Sequence, residues 1–247
     1  MDAHHPLQAA LAQVAQLRAE RLAAPRLGQA VVAVKRFQAQ RFAGTYADLL
    51  AGTDARQAAA CFFLDELYSE RDYAERDTQF QRIANTIDRL FPQRVSDTAR
   101  LMAELHALTE GLDTCMGWAW QDTPAHLSDA HRYLLAWRQT GQAEARARQL
   151  QGVLQLGQEL DQLTRTPGLR LLLKMMRKPA QAAGLQALQR FLEAGFDTFA
   201  ALGRQPEGVA QFLGLIERRE SDWVHTLFDA DLVACVTKLE QTLGLAR

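Results

Sequence analysis

The sequence predicts an all-α protein, and three observations support this prediction. Ala, Leu, Gln, Arg and Glu, all good helix formers, are abundant along the whole chain. β-branched residues are sparse, and no alternating run of apolar and polar residues is bounded by turn residues, as a half-buried strand would require. Apolar side chains recur instead every three or four residues, the period of an amphipathic helix. We expect one helical domain of about ten helices with orthogonal or bundle-like packing.

Length, charge and cysteine content limit the kinds of protein and of partner that this sequence is compatible with. A chain of 247 residues with 48% hydrophobic residues is large enough for a substantial core. With 28 basic and 29 acidic residues the net charge is -1, so no global field attracts nucleic acid or an anionic membrane. The sequence shows neither a secretory leader pattern nor a membrane-spanning apolar run. The three cysteines form no Cys-x-x-Cys pair, so we expect reduced thiols, a cytoplasmic location, and neither nucleic acid nor a membrane as a partner.

Breaks in the apolar periodicity place the helices of the first half. Pro25 ends a first helix, which we expect to form a peripheral N-terminal segment (residues 1–24) beside a single domain (residues 25–247). Asp54 is a good N-cap for the third helix, and Pro92 ends the fourth. Thr123 followed by a proline predicts the cap and first turn of the sixth. The six expected ranges are about 7–23, 26–50, 54 onward, 72–92, 96–121 and 123–141.

The second half is predicted to contain five more helices. A Thr-Pro-Gly sequence at 166–168 is a possible subdomain joint between the first two of them. The short helix after it carries a basic cluster, which we interpret as a solvated face rather than an anion site. The five expected ranges are about 143–164, 169–176, 180–202, 207–228 and 231–243.

The segment 61–77 combines apolar and ionisable side chains more densely than any other. On a helical wheel of about 100° per residue, Phe62 falls between Asp65 and Glu66, away from the main apolar arc. A helix that is apolar nearly all round is usually buried, so we expect this segment to be covered on more than one side as a packing hub. Its carboxylates then need cations or hydrogen-bond donors.

Ionisable residues also lie near the apolar stripes of other predicted helices. An unpaired buried charge is costly, so such residues are expected in pairs. Two interpretations stay open: a structural network that fixes helix packing, or a pocket whose carboxylates bind a cationic or hydroxylated ligand. We call the candidate residues the polar set: Arg41, Asp48, Asp65, Glu66, Tyr68, Arg76, Asp77, His106, Asp113 and Glu220.

No metal ion, cofactor or catalytic group is predicted. The chain lacks the Glu-x-x-His motif of helical di-iron sites, and His106 with Glu110 would share one metal at most. A structural role is favoured over heme ligation for His106 and His131. A nucleophile elbow and a phosphate-binding glycine loop are both missing from the sequence, so whether the protein is an enzyme stays open.

Several motifs resemble a known family. They include Phe62-Phe-Leu-Asp-Glu-Leu-Tyr68 with Arg76-Asp77 behind it, and the segments 41–48, 104–113 and 176–180. Together they resemble a proteobacterial family of uncharacterised proteins with a Phe-Phe-Leu-x-x-Leu-Tyr motif, over most of the chain after about residue 30. The resemblance implies one coherent domain and transfers no catalytic residues.

Two functions of different classes follow. The favoured one is a non-enzymatic interaction or regulatory protein that meets a protein partner, or a second copy of itself, through a face including Phe62 or Trp118 and Trp120. The alternative is a small-ligand-binding protein or enzyme of heme-oxygenase-like or ferritin-like architecture, with its site near His106 and Asp113. A deep pocket reaching those side chains favours the alternative, whereas a solid core with an exposed apolar patch favours the first.

Overall fold

The fold is all-α, as the sequence predicts. The structure is a computed structural model that describes residues 6–66 and 73–246, and within these ranges every regular element is a helix. No helix among the described residues is both long and apolar enough to cross a bilayer. In chain order the helices are α1 (Pro6–Ala23), α2 (Pro25–Thr45), α3 (Ala47–Leu50), α4 (Ala55–Glu66), α5 (Ala74–Leu90), α6 (Gln93–Asp122), α7 (Asp129–Thr140), α8 (Ala143–Thr164), α9 (Leu169–Met175), α10 (Arg177–Ala182), α11 (Gln186–Leu202), α12 (Gly208–Asp229) and α13 (Leu232–Leu245).

Three boundaries differ from the prediction for local reasons. The helix predicted over 180–202 is divided near Gly184, where φ is 68°, so that α10 ends at Ala182 and α11 begins at Gln186. The second predicted helix is interrupted at Tyr46, whose φ of -113° and ψ of 21° separate α2 from α3. Thr123 does not cap a helix; it follows α6, and its hydroxyl donates to the carbonyl oxygen of Trp120 at 2.6 Å. The next helix is capped instead by Ser128, which accepts from the backbone N–H of His131. The Thr123 hydroxyl oxygen accepts from Arg132 Nε at 2.9 Å, so a side chain of α7 takes the place of a capping backbone N–H.

The longest helix, α6, organises the packing. Its 30 residues extend over about 45 Å and contact α1, α2, α5, α7 and α8. At Gly117 a β-carbon would lie 2.5 Å from Val31 Cγ2 and 3.3 Å from the Val31 backbone nitrogen. Only glycine lets α2 cross α6 this closely, and the contact joins the first half of α2 to the C-terminal part of α6.

Three apolar clusters make up the core. The first joins α2, α6, α7, α12 and α13 around side chains such as Tyr133. The second joins α2, α3, α4, α8, α11 and α12 around side chains such as Phe199. The third joins α1, α5, α6 and α11 around side chains such as Phe80. The polar side chains described below lie where these clusters meet.

The first helix is more deeply integrated than the sequence suggests. Leu7, Leu11 and Val14 are at most 3% exposed and belong to the third cluster, where α1 packs along α6. The predicted joint at 166–168 is a turn between α8 and α9, with Gly168 at a φ of 80°.

Two other helices cover α4. Phe62, 8% exposed, stacks on Phe191 of α11 with ring centroids 5.9 Å apart. Phe63 meets Phe212 of α12 edge-on at 5.5 Å. The aromatic side chain that fell on the polar side of the wheel is therefore a core residue. Tyr68, the last residue of the motif, lies outside the described residues.

Candidate functional site

A cavity of about 140 Å³ lies where the three apolar clusters meet. Its walls come from α1, α2, α4, α5, α6, α7, α8, α11 and α12, with Tyr73 just before α5. Apolar side chains form much of the lining, and ionisable ones project among them. The ionisable residues of the wall are Lys35, Arg41, Glu66, Tyr73, Arg76, Asp77, His106, Glu110, Asp113, Tyr133, Arg146 and Glu220.

Arg41 and Glu220 form the most deeply buried ion pair. They are 6% and 9% exposed, and two parallel contacts of 3.1 and 2.7 Å join the guanidinium to the carboxylate. The hydroxyl of Tyr46 also donates to Glu220, at 3.0 Å. Burial alone would lower the pKa of Arg41, but the Glu220 carboxylate outweighs it and holds that pKa above its ordinary value. This pair joins α2 to α12.

Glu110 is held by two cations from different helices. Lys35 of α2 binds Oε1, and Arg21 of α1 lies 2.5 Å from Oε2. Burial opposes ionisation of Glu110, but Lys35 and Arg21 outweigh it and lower the pKa from 4.5 to about 2. Glu110 is therefore a charged group at neutral pH.

Asp113 has weaker partners, although it is only 2% exposed. The amide of Gln38 donates to Oδ1 at 3.1 Å, and the nearest cation, Lys35, is 4.0 Å from Oδ2. Burial raises the pKa of Asp113, and Glu110 adds to this effect. A buried carboxyl group with a raised pKa beside a cavity is typical of a functional site.

His106 and Asp77 form a pair on the cavity wall. Nε2 of His106 is 3.1 Å from Oδ2 of Asp77, which also accepts from Arg18 of α1 at 2.9 Å. Burial alone would raise the pKa of Asp77, but His106, Arg18 and Arg76 hold it below its ordinary value. When Nε2 carries the proton shared with Asp77, Nδ1 is free of a proton and can accept one, as a general base does.

Arg146 and Trp137 meet at another part of the wall. The Arg146 guanidinium carbon lies 4.1 Å from the centre of the Trp137 ring, and the guanidinium donates to Gln149 at 3.2 Å. Arg146 is 4% and Trp137 6% exposed. The tryptophan Nε1 is buried and has no hydrogen-bond partner among the described residues.

The outer rim is formed by Arg76, Glu66 and Tyr73. Arg76 stacks on the Tyr73 ring at 4.0 Å and on Phe191 at 4.3 Å, and it contacts the Glu66 carboxylate at 3.4 Å. Burial lowers the pKa of Arg76. The Tyr73 hydroxyl donates to the backbone carbonyl of Asp65 at 2.8 Å, which links α5 back to α4.

Seven of the ten residues of the polar set line this one cavity: Arg41, Glu66, Arg76, Asp77, His106, Asp113 and Glu220. Two others lie apart. Asp48 is exposed and pairs with Arg219 through contacts of 2.7 and 2.8 Å, because it is on the solvent side of the short α3. Asp65 is also exposed, since α4 turns this side away from α11 and α12. Tyr68 lies outside the described residues.

Sequence reasoning missed several wall residues, notably Lys35, Gln38, Tyr133, Arg146 and Gln149. One of these residues, Arg146, could have been predicted from the apolar stripe of its helix. Arg146 precedes Leu150 by one turn and Val153 by two, so it continues the buried stripe of α8 towards the N-terminus. A polar residue that continues an apolar stripe is a candidate wall residue.

The wall offers a mixed set of donors and acceptors. No group of three or more His, Cys, Asp or Glu side chains suited to a metal ion occurs among the described residues.

The comparisons with known proteins identify a family. A family model described as a domain of unknown function, DUF8198, matches residues 16–233. No curated protein and no solved structure matches the chain.

Proposed function

We propose that this protein binds a small organic molecule in the central cavity. The chain belongs to the DUF8198 family, a domain of unknown function, so the proposal is based on the structure of the cavity. One observation carries this proposal. Buried ionisable side chains from α2, α5, α6, α8 and α12 line one cavity, and although several of them pair with one another, their pairs leave the space between them unfilled. This is the arrangement that favours a ligand-binding protein or enzyme over a purely structural network.

Unfilled space inside a protein lowers its stability. Closed cavities left by truncated core side chains destabilise a fold by about 24 cal/mol per Å³, so for 140 Å³ about 3 kcal/mol is an upper bound, reduced by any water that enters the polar part of the cavity. A network that served only to fix helix packing would gain by filling this space. A ligand that occupies the cavity recovers this free energy through new contacts.

The cavity volume limits the size of the ligand. A cavity of about 150 Å³ accommodates benzene, so roughly six to ten non-hydrogen atoms fit here. A drug-sized cavity would measure about 300 Å³ or more. We therefore propose a metabolite-sized ligand or one compact group of a larger molecule.

A pair of alanine substitutions tests the proposal. Ala103 and Ala107 lie one turn apart on α6, are 1% and 3% exposed, and both belong to the third apolar cluster, but only Ala103 lines the cavity. Ala103→Leu fills part of the cavity, whereas Ala107→Leu adds the same volume elsewhere. Both variants and the wild type are purified from their own host without added ligand. The mass of each folded protein, measured by native mass spectrometry, is compared with its mass after denaturation, and the difference reveals a retained molecule.

We expect a small molecule to remain bound to wild type and Ala107→Leu and to be missing from Ala103→Leu. A panel of small acids, amines and neutral ring compounds, added to protein stripped of bound molecules, should raise the Tm of the same two proteins only. A wild-type protein that retains nothing and shows no change in Tm with any compound would contradict the proposal.

A second proposal is contact with a protein partner or a second copy, and a different surface supports it. Of the predicted face, Phe62 and Trp120 are buried and unsuited to it, whereas Trp118 is 47% exposed; Leu171 and Met175 of α9 are more exposed still, at 63% and 65%. Replacing both with Glu should shift the elution volume in size-exclusion chromatography if this surface mediates self-association. An unchanged elution volume across the accessible concentration range speaks against it.

We also propose that the Phe-Phe-Leu-x-x-Leu-Tyr motif marks the family in proteobacteria and that the protein works in the bacterial cytoplasm. Phe62 and Phe63 support the first point, because both fix α4 in the core. Free thiols at Cys61, Cys115 and Cys235 support the second, because reducing compartments keep cysteines unpaired. A survey of relatives and cell fractionation test these points.

A further inference from the structure

Part of the cavity wall is rich in hydrogen-bond donors. Arg146 lies over the ring of Trp137, and the Tyr133 and Trp137 ring centroids are 6.0 Å apart. Burial raises the pKa of the Tyr133 hydroxyl, and Arg146 and Arg41 both lie near enough to oppose this rise. We call Arg41, Tyr133, Trp137 and Arg146 the donor wall.

Two donors of this wall have no acceptor. The Nε1 of Trp137 and the Nε of Arg41 are buried and make no hydrogen bond within the described residues, although both side chains line the cavity. An unsatisfied buried donor destabilises a protein, and native structures leave few of them unpaired. A donor wall calls for a ligand with acceptor oxygens.

The charge of the site favours an anion. The described wall contains five carboxylates, on Glu66, Asp77, Glu110, Asp113 and Glu220, and four cations, on Lys35, Arg41, Arg76 and Arg146. Arg18 and Arg21 of α1 pair with two of these carboxylates and bring the cations to six. These six cations and five carboxylates leave an excess of one positive charge, which a monoanion balances.

Another part of the wall is apolar. Leu105, Leu150, Val153, Leu156 and Phe191 line the same cavity, and none of these side chains offers a polar atom. A ligand that fills the site therefore needs an apolar body beside its charged group. The volume leaves room for about three to seven carbon atoms beyond a carboxylate.

From these observations we propose that the ligand is a small monocarboxylate with an apolar body, whose carboxylate binds at the donor wall. This inference rests on the proposed function. The planar guanidinium of Arg146 matches a carboxylate geometrically, and Trp137 supplies a further N–H donor beside it. The apolar body lies against the leucines and Phe191.

Four probes test the charge preference on the unmodified protein. Benzoate and hexanoate carry the predicted group, while benzamide and benzylamine keep the size of benzoate but are neutral and cationic. We expect benzoate and hexanoate to raise the Tm at pH 7 and benzoate to bind at least about tenfold more tightly than benzamide by calorimetry. Equal or tighter binding of benzamide or benzylamine overturns the carboxylate assignment and leaves the proposed function intact.

No binding of any probe also overturns the assignment. The retained-molecule measurement on wild type and Ala103→Leu then decides the proposed function separately. A retained molecule that proves to be an amine or a neutral compound likewise overturns the assignment alone.

Matched substitutions locate the carboxylate. Arg146→Gln should weaken benzoate binding about tenfold or more, and Arg148→Gln, an exposed neighbour on α8 that does not line the cavity, should leave it unchanged. Should Arg146→Gln fail to fold, Trp137→Phe removes one donor and keeps a ring, and it should weaken benzoate binding while leaving benzamide less affected. Benzoate affinity unchanged in a folded variant of either residue overturns the placement at the donor wall.

Discussion

Replacing Glu110 with glutamine should remove a large, pH-dependent contribution to stability. In the folded protein Lys35 and Arg21 lower the pKa of Glu110 from 4.5 to about 2. At about 1.4 kcal/mol per pKa unit, this difference corresponds to about 3 kcal/mol of unfolding free energy at neutral pH. Because the folded pKa lies below the unfolded one, the contribution is complete above about pH 4.5 and is lost as the pH falls towards 2.

The assay is urea unfolding of wild type and Glu110→Gln at several pH values between 7 and 3. We expect the two unfolding free energies to differ by about 3 kcal/mol at pH 7 and to converge below pH 4.5. Glu193→Gln is the matched control, since Glu193 pairs with Arg177 at a surface where the arginine is 58% exposed. Such exposed pairs contribute about 0–1 kcal/mol.

A difference between wild type and Glu110→Gln that stays the same from pH 7 to pH 3 would refute the reasoning. It would mean that the variant loses packing rather than an ion pair. A loss at pH 7 no larger than that of the Glu193 control would refute the burial argument as well.

Three further substitutions separate the roles of the other residues. Glu220→Gln breaks a buried ion pair and should lower the unfolding free energy by about 3 kcal/mol, measured by urea unfolding; a change below about 1 kcal/mol would contradict a structural role. Asp113→Asn removes a carboxyl group whose pKa is raised by burial. Ionising such a group destabilises the folded protein once the pH rises above the ordinary pKa of an aspartate, so the Tm of the variant at pH 7 should equal or exceed that of wild type. A clear fall in Tm would show that the charge stabilises the fold. Gly44→Ala places a methyl group on the backbone carbonyl oxygen of Thr242 and should cost about 1–3 kcal/mol, whereas Gly244→Ala, with open space around it, should cost nothing.

The helix class and most helix positions follow from local sequence, because apolar periodicity and caps act over a few residues. The polar set could be predicted for the same reason, since a helical wheel places Asp113 along the edge of an apolar stripe and Glu220 within one. The pairing of these residues could not be predicted from the sequence. Arg41 and Glu220 are 179 positions apart, and their contact depends on how α2 and α12 pack.

The missed wall residues show a second limit. Lys35 and Gln38 lie on the inner side of α2 because α6 crosses there at Gly117, and nothing in the local sequence of α2 reveals that crossing. The distinction between a solid network and a cavity has the same origin. It depends on volumes left between helices, which no single helix encodes.

The integration of α1 has a consequence for the sign of the site. Arg18 and Arg21 do not line the cavity, yet they supply two of the six cations that set its charge. Without them, four cations would face five carboxylates, and the excess would change from one positive to one negative charge. Two arginines of α1 therefore neutralise carboxylates of the cavity from behind its wall. The preference of the cavity for an acidic or a basic ligand is set by a helix that contributes only Leu11 to the cavity lining.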